Sequence, residues 1–397
     1  MPFLFTTKTT EMDIRHYFDP VNFSQFSTSN YSNRKYSIGS IIEKKTLSIT
    51  EQNIQKLDIA IVGAPFDSRN VDNYLSESPD KVREELYQLS AFNVKVNVAD
   101  FGNLKLAKSI KGNYQALRDI IEFFSELKIV PVIIGGSQDL SFGISEAFKN
   151  NKLFSFSTID AFLDIKKGKE SFNSSNYLSR IFSSNPNLFQ FNVIGYQSHY
   201  IASEIFSKTK GISNNIRLGQ LRDNIALVEP VLRNTDVLSF DIGAVKFSEA
   251  PGSCNFSPNG LRSEEACQLA KFAGLSDRLK VFGVFEYDSG KDQHNLTAKL
   301  VAQIVWYFLE GFLNRQNERP DKSENNVMYS VEVKDIDKPL VFYKNTKTNR
   351  WWMQIQTFNN KTLYFACSED EYIQASNNEI PELWLNYVQK LDETYTM

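Results

Sequence analysis

Residues 128–144 read KIVPVIIGGSQDLSFGI, and the fold turns on how that stretch is read. Six apolar residues, Ile129-Val130-Pro131-Val132-Ile133-Ile134, predict a buried strand. Gly135-Gly136 then lets the backbone turn sharply beside a site. After the polar Ser137-Gln138-Asp139 an apolar pattern resumes at Leu140 and predicts a helix over 141–148. Two later stretches, 154–164 and 237–243, have the same design: a β-rich run that ends in acidic residues. In open parallel sheets ligands sit outside the carboxyl ends of the strands, so these three strand ends are expected to converge on one pocket.

Working outward, the pattern becomes regular at Asp58. Strands are predicted at 59–62, 94–98, 129–134, 153–159, 188–195, 237–241 and 279–285, with helices from Ser78-Pro79, over 113–127, 263–274 and 297–313. The stretch 216–231 reads as a strand and then a helix. Such alternation gives an α/β fold, three-layer α/β/α around a mostly parallel sheet. Residues 1–57 form a lead-in whose aromatics (Tyr17, Phe18, Phe23, Phe26) pack on the main domain, and 27–37 is a Ser/Asn/Tyr-rich loop. The main domain covers 58–315. A polar linker follows to residue 326. Residues 327–397 then form a small antiparallel α+β appendage, with strands at 327–333, 340–343, 351–357 and 363–367 and a helix over 381–392. Trp351 and Trp352, adjacent on one strand, must face opposite sides. One is expected in the module's core, and the other as an anchor for a partner or covered by the main domain.

Composition excludes several function classes. Lys plus Arg is 44 and Asp plus Glu 47, a net charge of −3, which gives no electrostatic case for nucleic acid or an anionic membrane. The 31 Phe and 17 Tyr are scattered rather than repeated, which reads as packing. Cys254, Cys267 and Cys367 show no CxxC spacing and fit a reducing cytosol. The first residues are too short an apolar stretch for a signal peptide, and no apolar run approaches a membrane span. A soluble, cytoplasmic protein is expected.

The strand-end segments, taken in order, are Val62-Gly63-Ala64-Pro65-Phe66-Asp67, Gly135-Gly136-Ser137-Gln138-Asp139-Leu140-Ser141, Asp160-Ala161-Phe162-Leu163-Asp164, Ser239-Phe240-Asp241-Ile242-Gly243, Ala250-Pro251-Gly252 and Glu286-Tyr287-Asp288. Over roughly residues 58–313 this series resembles the ureohydrolase family of arginases, agmatinases and formimidoylglutamases. Ile194-Gly195-Tyr196-Gln197 leans toward the formimidoylglutamase branch. The resemblance implies a pair of manganese ions held by motifs of the form GGDHS, DAHxD and SxDxD, activating a water that attacks a guanidinium or formimidoyl carbon.

Carried over residue by residue, that ligand set is incomplete. Asp160, Asp164 and Asp241 stand at ligand positions. Gln138 stands for the histidine of the first motif and Ser137 for its aspartate; Phe162 replaces the histidine of the second; Gly243 replaces an aspartate of the third. Three carboxylates suit one hard cation, weakly bound Mn²⁺, Mg²⁺ or Ca²⁺, and not a two-metal cage. Without metal they repel one another, and Lys166, Lys167 and Lys246 are the nearby cations in sequence. Asp139 and Glu286 complete the expected lining.

The expectation is therefore a catalytically silent ureohydrolase-like protein with no cofactor, serving as a binding or scaffold component. Its partner would be a protein engaging the C-terminal module or the lead-in. The alternative is a metal-dependent hydrolase of linear amidine C–N bonds (formimidoylglutamase, agmatinase or arginase type) with an atypical or single-metal site. A third reading is a sensor that keeps an amino-acid-like ligand in the pocket. Taken alone, each motif is weaker: a glycine pair is usually a turn, and an aspartate at a strand end is usually a cap.

Overall fold

The computed structural model describes all residues except 1–4, 7–10, 23–35, 45–49, 70–76, 167–170, 208, 210–212, 256, 335, 358–359 and 397. Phe23, Phe26, most of the 27–37 loop and Lys167 therefore lie outside the described residues. A short hairpin, β1 (Phe5–Thr6) and β2 (Glu11–Met12), begins the chain. The central sheet has nine strands. In chain order they are β3 (Phe18–Asp19), β4 (Ile59–Ala64), β5 (Val98–Leu104), β6 (Val130–Gly135), β7 (Phe154–Ile159), β8 (Leu188–Tyr196), β9 (Ser213–Arg217), β10 (Val237–Asp241) and β11 (Val281–Phe285). Their order across the sheet is β3-β5-β4-β6-β11-β10-β7-β8-β9. Every pairing is parallel except β3 on β5, so the lead-in supplies an antiparallel edge strand.

Burial on both faces explains the continuous apolar runs of β4, β6 and β7. On β4, Ile59 and Ile61 join the core on one face while Ala60 and Val62 join that on the other. The short α1 (Glu51–Ile54) precedes β4. One helical layer contains α2 (Ser78–Leu86), α7 (Leu218–Asp223), α8 (Val228–Arg233), α9 (Ser263–Gly274) and α10 (Leu296–Leu313). The other contains α3 (Ile110–Glu126), α4 (Leu140–Glu146) and α5 (Tyr177–Ser184), with α6 (Ser203–Ser207) outside it. Ile14 and Phe18 of the lead-in are buried in this second core.

Gln293–Leu313 has the length and composition of a membrane span, which corrects the expectation that no run reaches that length. In this fold it is a core helix. Ten residues of α10 are buried, and the helix packs on α9 and α2.

The C-terminal sheet is antiparallel: β12 (Asn326–Val331), β13 (Leu340–Asn345), β14 (Trp351–Gln356) and β15 (Thr362–Cys367). It packs with α11 (Glu369–Ser376) and α12 (Glu382–Thr396). Sequence reading missed α11, whose Ser368 cap and acidic first turn are its signal. Trp351 stacks on Tyr372 of α11, inside the module. Trp352 faces the other way and lies under the main domain's Arg233, 4.8 Å from its ring centre. The side-chain amide of Asn234 pairs with both backbone groups of Ala366 and so extends β15 by one residue-equivalent. Phe189 of β8 packs against the stacked pair Phe365 and Tyr387. The polar stretch after α10 is a packed strap rather than a free linker: Glu318 is buried and accepts from Arg350 at 2.8 Å.

Two further differences from the sequence reading have physical causes. The strand expected at 94–98 begins at Val98 and runs to Leu104, with Val94 exposed. Asp100, Gly102 and Asn103 hid it, and they are accommodated because the buried Arg83 binds Asp100 (2.8 and 3.0 Å), Asn103 and the Gly102 carbonyl. The 213–233 region resolves into β9, α7 and α8, and α5 was not anticipated.

Candidate functional site

The carboxyl ends of β4, β6, β7, β10 and β11 deliver the pocket. β6 turns at Gly135-Gly136 because neither position has room for a side chain. A Cβ on Gly136 would overlap the Phe66 carbonyl, and one on Gly135 the Phe285 ring. Gly136 N–H donates to the Ala64 carbonyl (2.7 Å) and Ser137 N–H to that of Phe66 (2.8 Å), clamping the loop after β4 onto the turn. Ser137 Oγ also accepts from Ser68 N–H. Asp139 is buried and accepts from Ser68 Oγ (2.9 Å) and from the Tyr114 hydroxyl. Ser137 and Asp139 thus hold the 66–69 loop.

That loop carries the residue sequence reading missed. Arg69 binds Glu286 at 2.8 Å and Asp67 at 3.0 Å, and its guanidinium lies 3.7 Å from Cys254 Sγ. Glu286 adopts a left-handed backbone (φ 66°), and its other oxygen accepts from Gln138 N–H at 2.7 Å. The signal was present: Arg69 stands two residues past the Gly63-Ala64-Pro65-Phe66-Asp67 strand end. Of the lysines proposed for this charge-balancing role, Lys166 contributes, since its charge favours the ionised form of Asp164. Lys166 is exposed, and Lys246 pairs with Glu249 at 4.0 Å. The loop after β4 folds over the strand ends and brings Arg69 to Glu286.

Asp160, Asp164 and Asp241 do come together. Burial, then the charge of Asp164, pushes Asp160 well above the usual carboxylate range. Burial, then the charges of Asp160 and Glu286, does the same to Asp241. Burial, then Asp241 and Glu286, lifts Asp164 to about 8. Asp160 Oδ1 accepts from Phe162 N–H (2.8 Å), while its buried Oδ2 has no partner. Asp241 Oδ1 accepts from Gly243 N–H (2.7 Å), so it caps its own turn.

The remaining positions are committed elsewhere. The Gln138 amide nitrogen donates to Thr158 Oγ1 (3.1 Å) and Ser239 Oγ (3.2 Å), and Ser141 Oγ extends that network. The Phe162 ring stacks on Tyr200 with centres 4.4 Å apart. A Cβ on Gly243 would lie 2.8 Å from Asn255 Cβ, so Asn255 has taken the space of a side chain there. Among the described residues no group of three or more His, Cys, Asp or Glu is placed to hold a metal ion. The donor set of this pocket does not fit a dinuclear metal pair.

The raised Asp164 gives a testable sign. Its proton is held more tightly folded than at the 3.8 of an unperturbed aspartate. The stability it contributes is whole below about pH 4 and is lost as the pH rises through about 8. Asp164→Asn removes the penalty. At pH 8 its unfolding free energy is expected to exceed that of the parent chain by several kcal/mol, with no gain near pH 4. Thermal melts across that range check it, and a variant less stable at pH 8 would contradict the account.

A mostly parallel sheet covered on both faces, with buried carboxylates clustered at the strand ends, defines this as an α/β/α protein. Comparison with known proteins narrows the class. The Arginase family model matches residues 57–310. The formimidoylglutamase of Lysinibacillus sphaericus is 21% identical over 256 residues, covering 61% of this chain and 79% of that protein. That of Bacillus subtilis is 21% identical over 278 residues, covering 64% and 86%. Among solved structures, Trypanosoma cruzi formiminoglutamase with Mn²⁺ superposes with a TM-score of 0.62 at 18% identity, over 67% of this chain and 97% of the other. The agmatine ureohydrolase of Thermoplasma volcanium gives 0.57 at 16%, over 73% and 96%. The chain belongs to the arginase family, and its C-terminal module lies beyond the matched region.

Proposed function

We propose that this chain is a formimidoylglutamase-like member of the arginase family that does not carry out two-metal hydrolysis and acts as a binding or scaffold component. The observation that carries this is the repacking of the ligand positions: Gln138 is held by Thr158 and Ser239, Phe162 by Tyr200, and Asn255 occupies the space beside Gly243. The pocket keeps Asp160, Asp164, Asp241 and Glu286 against one facing guanidinium, Arg69. Such a cluster of protonated carboxyls suits a cationic, amino-acid-like ligand, whose charge would draw the protons off. Its protein partner would meet the C-terminal module or the lead-in. The working division is 1–57, 58–315 and 327–397. Three free cysteines support a cytoplasmic placement.

The comparisons favour a second reading, since the sequence relatives quoted above are named formimidoylglutamases. In that reading the chain is a hydrolase of linear amidine C–N bonds working with one divalent cation at Asp160, Asp164 and Asp241. Turnover of formimidoylglutamate, arginine and agmatine in the presence of Mn²⁺ separates the two. The silent reading expects rates equal to those of the variant with all three aspartates changed to Ala. Turnover well above that variant establishes the hydrolase instead.

A further inference from the structure

At the opposite end of the same strands lies a cleft of about 1100 Å³, roofed by the C-terminal module. Its floor is the amino ends of β6, β7, β10 and β11, and its roof includes Trp352 and residues 361–365. Strands of this length put it roughly 15–20 Å from the acidic pocket. The cleft needs the module, so it lies outside what the matched family region alone builds.

Its charge is lopsided. Nine Lys and Arg line it against four Asp and Glu. Three of those acids are already matched: Asp236 by Arg278 (2.9 Å) and Lys280 (3.1 Å), Asp321 by Arg319 (2.6 Å), and Glu318 by Arg350 (2.8 Å). On the cationic side Lys128, Arg315, Lys322 and Lys361 have no carboxylate within ion-pair distance among the described residues. Arg315 instead donates to the Gly274 and Leu279 carbonyls, and burial pulls its guanidinium down to about 10.

Phe148, Trp352 and Tyr364 add apolar wall, and the volume matches a ligand of nucleotide size.

We propose that this cleft binds a multiply charged small anion, an organic phosphate carrying an apolar or aromatic body. Arg and Lys side chains converging on phosphate oxygens would hold it, and the module would close it in. Ligand binding would then tie the C-terminal module to the α/β domain.

Calorimetric titration of the full-length protein with pyrophosphate and with ATP tests this. The variant Lys128→Gln/Lys322→Gln/Lys361→Gln removes exposed cations that form no side-chain ion pair within 4 Å among the described residues. The control Lys334→Gln/Lys338→Gln/Lys347→Gln makes the same charge change elsewhere on the module. Saturable binding is expected, tighter for ATP than for pyrophosphate, weakened by about tenfold or more in the cleft variant and unchanged in the control. Absence of saturable binding at millimolar ligand, or equal weakening in both variants, overturns the proposal. Neither result depends on what the acidic pocket does.

Discussion

Replacing Arg83 by Met is expected to lower the unfolding free energy by about 3–5 kcal/mol, because it strands a buried carboxylate. Arg83 is fully buried on α2 and reaches across to β5. Its guanidinium grips both oxygens of Asp100, at 2.8 and 3.0 Å, and also Asp80, Asn103 and the Gly102 carbonyl. Asp100 is equally buried and also accepts from the Tyr87 hydroxyl and Gly102 N–H. Methionine fills much of the volume and supplies no donor, so the loss is electrostatic rather than a cavity. Denaturant midpoints of Arg83→Met, of Asp100→Asn and of the double variant check it. The double variant is expected to be less damaged than the two single losses added together. Simple additivity would show that the pair is not coupled.

The second large effect is at the joint with the C-terminal module. Arg233 holds Glu229 at 2.9 Å, donates to the Trp351 carbonyl through both terminal nitrogens and to the Cys367 carbonyl, each at 3.2 Å, and covers the Trp352 ring. Arg233→Ala leaves two buried carbonyls without this donor and uncovers an indole. A loss of about 2–4 kcal/mol is expected. Arg233→Lys is expected to recover less than half, since an ammonium cannot fork to two strands while lying flat on a ring. Hydrogen exchange gives the location: amides of β14 and β15 should exchange faster while those of β6 and β10 keep their protection. Uniform loss of protection would mean that the module and main domain unfold as one unit.

Most of the architecture was legible in the sequence because a parallel sheet buries both faces of its strands, and runs such as Ile129–Ile134 cannot be mistaken for surface. The exceptions share a cause. β5 was misplaced because Asp100 and Asn103 are polar, and their burial depends on Arg83, a partner on another element. Trp352 was left between two roles because its cover, Arg233, lies more than a hundred residues away. At the site the meeting of the three aspartates was legible from their order and spacing. Arg69, which pairs with Glu286, was not. Sequence adjacency favoured Lys166 and Lys246, whereas the loop after β4 brings in Arg69 across the sheet edge. What Gln138, Phe162 and Asn255 do in place of metal ligands also needed coordinates, because hydrogen bonding to Thr158 and stacking on Tyr200 are properties of neighbours and not of spacing.

Family membership and fold are thus independent of the chemistry the pocket performs. The comparisons place the chain among proteins named for hydrolysis, while Gln138 is hydrogen-bonded to Thr158 and Ser239 and Phe162 stacks on Tyr200. The decisive measurement is metal stoichiometry: full-length protein purified from manganese-supplemented culture, analysed for bound metal per chain and assayed on formimidoylglutamate in the same preparation. The expected result is no stoichiometric manganese, and turnover no faster than that of the Asp160→Ala/Asp164→Ala/Asp241→Ala variant. A full manganese pair in each chain, with turnover abolished by those three substitutions, would contradict it.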